Sequence, residues 1–148
     1  MGYYVEKPRG KIADVLGRNQ RQPVVLVGVG HLGSALLAYK ESEKESFEIA
    51  AGFDVDTKRH WRKTFSQPIY RLDKLEQYVR QRGIKMGIIT VPPAAAQDVA
   101  NRLIAAGVTA ILNFAPVVLR VPRNIVVSSV NLAIELENLG YFRSLAEG

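Results

Sequence analysis

Val24-Val-Leu-Val-Gly-Val-Gly-His-Leu-Gly33 joins a short β-branched apolar run to the glycine pattern G-x-G-x-x-G. The stretch Ser34-Ala-Leu-Leu-Ala-Tyr39 after it has helical character. An acidic residue, Asp54, closes the next apolar run 21 positions beyond Gly33. Glycines alone are a weak signal. Glycines that leave a strand, open a helix and precede an acid by about 20 residues form a dinucleotide fingerprint in its proper context. Gly28 permits the tight turn off the strand. Gly30 lets backbone approach a pyrophosphate, and Gly33 lets the helix pack close to the sheet. The helix start offers free N–H groups and partial positive charge to phosphates. Asp54 suits the free hydroxyls of an adenosine ribose and repels a 2′-phosphate, which favours NAD(H) over NADP(H). Asp56 strengthens that preference, and Lys58 and Arg59 weaken it.

The same reading extends along the chain. Strands are expected at about 24–28, Phe47–Asp54, Ile69–Tyr70, Met86–Val91 and Val108–Asn113. Val117–Leu119 and Ile125–Val127 read as short edge strands around Pro122. Helices are expected at 31–43, 72–82 and 93–106, the last two closed by Gly83 and Gly107. Residues 57–65 read as a short helix or loop, and 3–17 look helical until Pro8 interrupts them. Ser128 or Ser129 is a candidate cap for a last helix running to about Ala146. Strands alternating with helices predict an α/β, Rossmann-like, doubly wound and mostly parallel sheet. The last helix is apolar around much of its circumference, through Val130, Leu132, Ile134, Leu136, Leu139, Tyr141, Phe142 and Leu145. Such a helix calls for burial on several sides, here against a second subunit.

Composition narrows the class. The 148 residues have the size of one domain, and 47% are hydrophobic, enough for a full core. There is no cysteine, which excludes disulfides and thiolate metal sites in this stretch. No apolar run has the roughly 20 residues of a membrane helix, and the first residues lack a secretory pattern. A cytoplasmic protein with no membrane partner is the expectation. The formal charge is +6, scattered apart from the run Lys58-Arg-His-Trp-Arg-Lys63. No helix-turn-helix can be read from the chain.

Ligands of open α/β sheets lie outside the carboxyl ends of the strands. Three loops qualify. The first is the glycine loop, with Val29, His31 and Leu32 between its glycines, faced by Asp54 and Val55. The second is Thr90-Val91-Pro92. The third is Asn113-Phe114-Ala115-Pro116. Thr90 and Asn113 are candidate hydrogen-bond partners for a cofactor amide or ribose, while Pro92, Phe114 and Pro116 are candidate walls for a nicotinamide ring. Acid–base equipment is sparse. His31 sits within the glycine loop and His60 in the basic run, and two histidines so far apart do not form a metal site. No catalytic residue is expected.

The residues Gly28-Val-Gly-His-Leu-Gly33, Phe53-Asp-Val-Asp56, Thr90-Val-Pro92 and Asn113-Phe-Ala-Pro-Val117 also occur in a familiar order. With the opening Gly2-Tyr-Tyr-Val5, they make the chain resemble the Rex family of redox-sensing transcriptional repressors over nearly its whole length. The resemblance implies a homodimer binding NADH or NAD⁺, with operator DNA read by a winged helix not recognisable in these residues. It implies that 1–22 correspond to the end of that module, 23–128 to the cofactor domain and 129–148 to a helix reaching into the partner. It also matches Tyr39 to a tyrosine that, in some members, pairs with an aspartate at the start of that helix. Here the corresponding residue is the uncharged Asn131. CoA- or nucleotide-binding Rossmann domains and the cofactor half of a dehydrogenase are the alternative readings.

Overall fold

The computed structural model describes residues 21–39, 46–56 and 65–147. The expected helix over 3–17, nearly all of the 1–22 segment and the basic run at 58–63 lie outside the described residues. Among the described residues six strands, β1 (Gln22–Val27), β2 (Phe47–Asp54), β3 (Ile69–Arg71), β4 (Met86–Ile89), β5 (Ala110–Asn113) and β6 (Val126–Ser129), form one sheet. Their order is β3-β2-β1-β4-β5-β6, and all five pairings are parallel. The helices are α1 (His31–Ala38), α2 (Leu75–Arg82), α3 (Pro93–Ala105) and α4 (Leu132–Glu147).

The central strands are apolar on both faces because both faces are covered, as parallel sheets require. Val25, Val27, Ala51, Phe53 and Ile89 pack with Leu75 and Val79 of α2 and with Val99 and Leu103 of α3. Val24, Leu26, Ile49 and Ile88 form a second core with Leu37 of α1. Alternation along each strand thus feeds two cores on opposite faces, the doubly wound arrangement. The strand order reverses between β1 and β4, so a crevice opens there at the carboxyl ends.

Several boundaries differ from the sequence expectation, each for a local reason. The α1 helix stops at Ala38, where Tyr39 turns extended (φ −65°, ψ 124°), while residues 40–43 are outside the described set. The segment from Leu72 opens with a 3₁₀ turn, Leu72–Lys74, before α2 begins. β4 ends at Ile89, not Val91, because Ile89 is paired with Val27, the last residue of β1 before the chain turns at Gly28. β5 starts at Ala110, not Val108. The Val108 N–H reaches back to the Leu103 carbonyl (3.0 Å) and Gly107 adopts φ 117°, a glycine-closed helix end.

Val117–Leu119 is not a strand. Its surroundings are tied by side chains instead: Asn113 holds the carbonyl of Val117, and Gln97 of α3 pairs with both backbone groups of Arg120 (2.8 and 2.9 Å). The edge strand beside β5 is β6, one residue beyond the expected start. Ser128 and Ser129 belong to it and cap nothing. The cap of α4 is Asn131, whose Oδ1 accepts the N–H of Ile134 at 3.1 Å.

Candidate functional site

The site is built on the turn that leaves β1. The Gly28 N–H donates to the Phe53 carbonyl (2.8 Å), carrying strand pairing one residue past β1. Gly28 itself has φ 103°, and a Cβ there would lie 2.7 Å from the backbone of Thr90. Only glycine fits that position on both counts. Next, the Val29 N–H donates to Asp54 Oδ2 (2.6 Å), and the other carboxylate oxygen accepts the Asp56 N–H (3.1 Å). From the far side, Thr90 Oγ1 lies 2.5 Å from the Gly28 carbonyl and 3.0 Å from that of Val27. The Thr90 N–H also donates to Val27 (2.9 Å).

Gly30 and Gly33 do different work. At Gly33 a Cβ would collide with the Gly28 carbonyl oxygen, so this glycine sets how closely α1 approaches the turn. At Gly30 a Cβ would meet nothing within 4 Å. Its missing side chain therefore faces open space, the shape needed for a bulky anion to approach the backbone. Gly30 caps α1 without any side-chain bond. Helix geometry leaves the N–H groups of His31, Leu32 and Gly33 without intrahelical acceptors at that point.

Gly28, Gly30, Asp54, Val55, Thr90, Val91 and Pro92 line one cleft of about 520 Å³, within the range of small-molecule sites. Val27 and Phe53 of the sheet and Leu72, Ala95 and Val99 complete its wall. The sequence reading did not name these five as site candidates, because Val27 and Phe53 read as strand and Leu72, Ala95 and Val99 as helix. Leu72 directly follows β3, and Ala95 and Val99 lie in the first two turns of α3, the helix that follows β4. Arg102 of α3 buttresses this wall. It makes two bonds to Glu76 of α2 (2.7 and 2.9 Å) and one to the Leu72 carbonyl (2.9 Å). The hydrogen bond from Arg102 holds the Glu76 carboxyl below its ordinary range, against a smaller opposing effect of burial. A larger cavity of about 750 Å³ lies near Arg21, Glu48 and Pro68, at the amino ends of β1 and β2. That is the wrong end of a parallel sheet for its ligand.

The third expected loop is placed differently. The Asn113 side chain is fully buried and serves its own loop: Nδ2 donates to the carbonyls of Ala115 and Val117 (both 3.1 Å), and Oδ1 accepts the Ala115 N–H (3.0 Å). Both of its donors are thereby used. Phe114 packs against the α1-side core. Ala115 and Pro116 line a separate hollow of about 250 Å³ together with Val130 and Asn131. Tyr39 is 61% exposed at the end of α1. Leu132 and Tyr141 are exposed on α4, the helix that also carries Phe142. Among the described residues no three His, Asp or Glu side chains gather as a metal site, and no helix is long and apolar enough to cross a membrane.

A 3-2-1-4-5-6 parallel sheet with this turn at its switch point defines a Rossmann-type nucleotide-binding domain. Residues 19–117 match the family model described as CoA binding domain. The chain is 44% identical over 141 residues to the redox-sensing transcriptional repressor Rex of Carboxydothermus hydrogenoformans, spanning 95% of this chain and 68% of that protein. It is 41% identical over 148 residues to Rex of Streptomyces coelicolor, spanning 100% of this chain and 57% of that one. Among solved structures, RSP in complex with β-NADH superposes with a TM-score of 0.80 at 27% identity, covering 93% of this chain and 67% of RSP. RSP with β-NAD⁺ and operator DNA gives 0.76 at 28%, covering 93% and 64%. The chain belongs to the Rex family. It spans between about half and two thirds of the length of these relatives.

Proposed function

We propose that this chain is the NADH/NAD⁺-sensing domain of a Rex-type repressor, with residues 23–128 binding the dinucleotide and 129–148 engaging a second copy. The observation that carries the reading is the open backbone at Gly30 beside the amino end of α1, with Asp54 across the same cleft. In this reading the N–H groups at the start of α1 hold the pyrophosphate. Asp54 accepts from the adenosine ribose with the oxygen capacity left after Val29 and Asp56, and Val55 and Leu72 flank the adenine. Bound, the dinucleotide supplies a redox-sensitive ring whose charge differs between its two forms. The third loop, with Asn113 to Pro116, shapes the ring's surroundings through its backbone. His31 and Leu32 act through their amides, as Val91 and Pro92 act as wall.

The domain senses and does not catalyse, as repressors do. It works in the cytoplasm, where DNA is, and reaches operator DNA through a winged-helix module of the whole protein. The homodimer reading is supported by α4, where Leu136 and Leu139 are 68% and 66% exposed. Tyr39 and Asn131 would then meet between copies, although Asn131 also caps α4. Calorimetric titration with NADH, NAD⁺, NADPH and CoA tests the assignment. Micromolar or tighter NADH binding with weaker NADPH is expected. The family description makes CoA the second reading, and CoA binding tighter than NADH would establish it instead.

A further inference from the structure

We infer that Thr90 is a positioning residue for the dinucleotide cradle, acting with Asp54 to clamp the single peptide between Gly28 and Val29. The inference rests on the dinucleotide reading and adds to it a residue that controls the shape of the site without serving as a ligand partner. The carbonyl of Gly28 and the N–H of Val29 belong to one planar trans peptide, so they point in opposite directions. Asp54 Oδ2 accepts from the N–H at 2.6 Å. On the other side, Thr90 Oγ1 stands 2.5 Å from the carbonyl. The Val27 carbonyl already accepts the Thr90 N–H, and the approach of the hydroxyl to Gly28 is the shorter one. Of the two carbonyls within reach, that of Gly28 is the closer acceptor, and the hydroxyl proton is assigned to it.

The clamp answers a specific weakness. A glycine lets its neighbouring peptide rotate more freely than any other residue does. The Gly28–Val29 peptide lies one residue before Gly30, so rotating it would re-aim the backbone that approaches the pyrophosphate. It would also break both bonds of the clamp at once. Thr90 belongs to the β4 end and Asp54 to β2, so two strands on either side of β1 fix the loop that β1 delivers. Thr90 also stands 3.0 Å from where a Gly33 Cβ would be, which places it against the start of α1 as well.

The test compares T90V, which keeps the shape and loses the hydroxyl, with T90S, which keeps the hydroxyl. NADH affinity is read by fluorescence, and ADP and adenosine are read by competition against NADH. T90V is expected to weaken NADH and ADP about tenfold, the equivalent of roughly one hydrogen bond. Adenosine, which carries no phosphate to the loop, is expected to change by less than about twofold, and T90S to stay near wild type on all three. Amide exchange at Val29, measured without ligand, is expected to quicken in T90V and not in T90S. Should T90V fail to fold, T90A carries the same comparison. Unchanged NADH affinity in T90V, equal losses in T90V and T90S, adenosine falling in step with ADP, or unchanged Val29 exchange would each overturn the clamp. Failure of the wild-type chain to bind NADH would overturn the functional reading itself, and Val29 exchange would still decide whether the clamp exists.

Discussion

Replacing Gly30 and Gly33 separately by alanine should divide binding from folding. The added methyl at Gly30 meets no atom within 4 Å, while at Gly33 it meets the Gly28 carbonyl oxygen, a backbone atom that has no rotamer to escape through. Overpacking of that kind costs about 1–3 kcal/mol. For a domain of this size the equivalent fall in Tm is roughly 3–10 °C. G30A should stay within about 2 °C of wild type, as expected for a substitution that creates no clash. Binding should reverse the order of damage. In the proposed binding mode a methyl at Gly30 would stand in the approach of the pyrophosphate and displace it from the amides at the start of α1. Losing two bonds to a charged group, at about 1.5–3 kcal/mol each, weakens NADH by about 100-fold or more. Thermal melts and fluorescence titration of the two variants measure both quantities. NADH affinity in G30A within about fivefold of wild type, or a G33A protein as stable as G30A, would refute this division of labour.

Three further outcomes are expected. D54N keeps an oxygen for the Val29 N–H but removes the charge that repels a 2′-phosphate, so the NADH-to-NADPH affinity ratio should fall about tenfold, as for loss of one charge contact near a protein surface. E76Q should lower stability near neutral pH by about 1–2 kcal/mol, because it weakens the charged contact with Arg102. The Glu76 carboxyl lies below its ordinary value in the fold, so its stabilising contribution is complete above the unfolded value and disappears as pH falls through the folded one. The melting temperatures of wild type and E76Q should therefore converge in acid; curves that stay parallel down to about pH 3 would contradict the linkage. Light scattering at tens of micromolar should give a dimer for wild type and a monomer for L136E/L139E, since both leucines are exposed on α4 and neither supports the sheet.

Fold and turn were readable because their physics is local. A strand, three glycines and an acid at the end of the next strand are each dictated by neighbours within a few residues or by a fixed repeat. Element ends were less readable because they depend on partners distant in the chain. β4 stops at Ile89 because β1 stops at Val27. Val117–Leu119 is no strand because Gln97, more than 20 residues away, holds Arg120. The cap of α4 passed to Asn131 because Ser128 and Ser129 were taken up by pairing with β5.

The site shows a sharper limit on reading residue types. Asp54, Thr90 and Asn113 all stood out as polar residues at the carboxyl ends of strands, and the same chemistry recommended all three. Their hydrogen bonds separate them. Asn113 is wholly buried with both donors engaged by its own loop, so it fixes the path from β5 to β6. Thr90 has its one donor turned inward on the Gly28 carbonyl. Asp54, half-buried, binds two backbone N–H groups and, as a carboxylate with about four acceptor positions, has capacity left for a ligand. Of the three, Asp54 alone combines a place in the cleft with a charged acceptor, the group that favours a ribose hydroxyl and repels a 2′-phosphate. Substitution at Asp54 should therefore alter which dinucleotide is preferred, and substitution at Asn113 should first alter the fold of its loop.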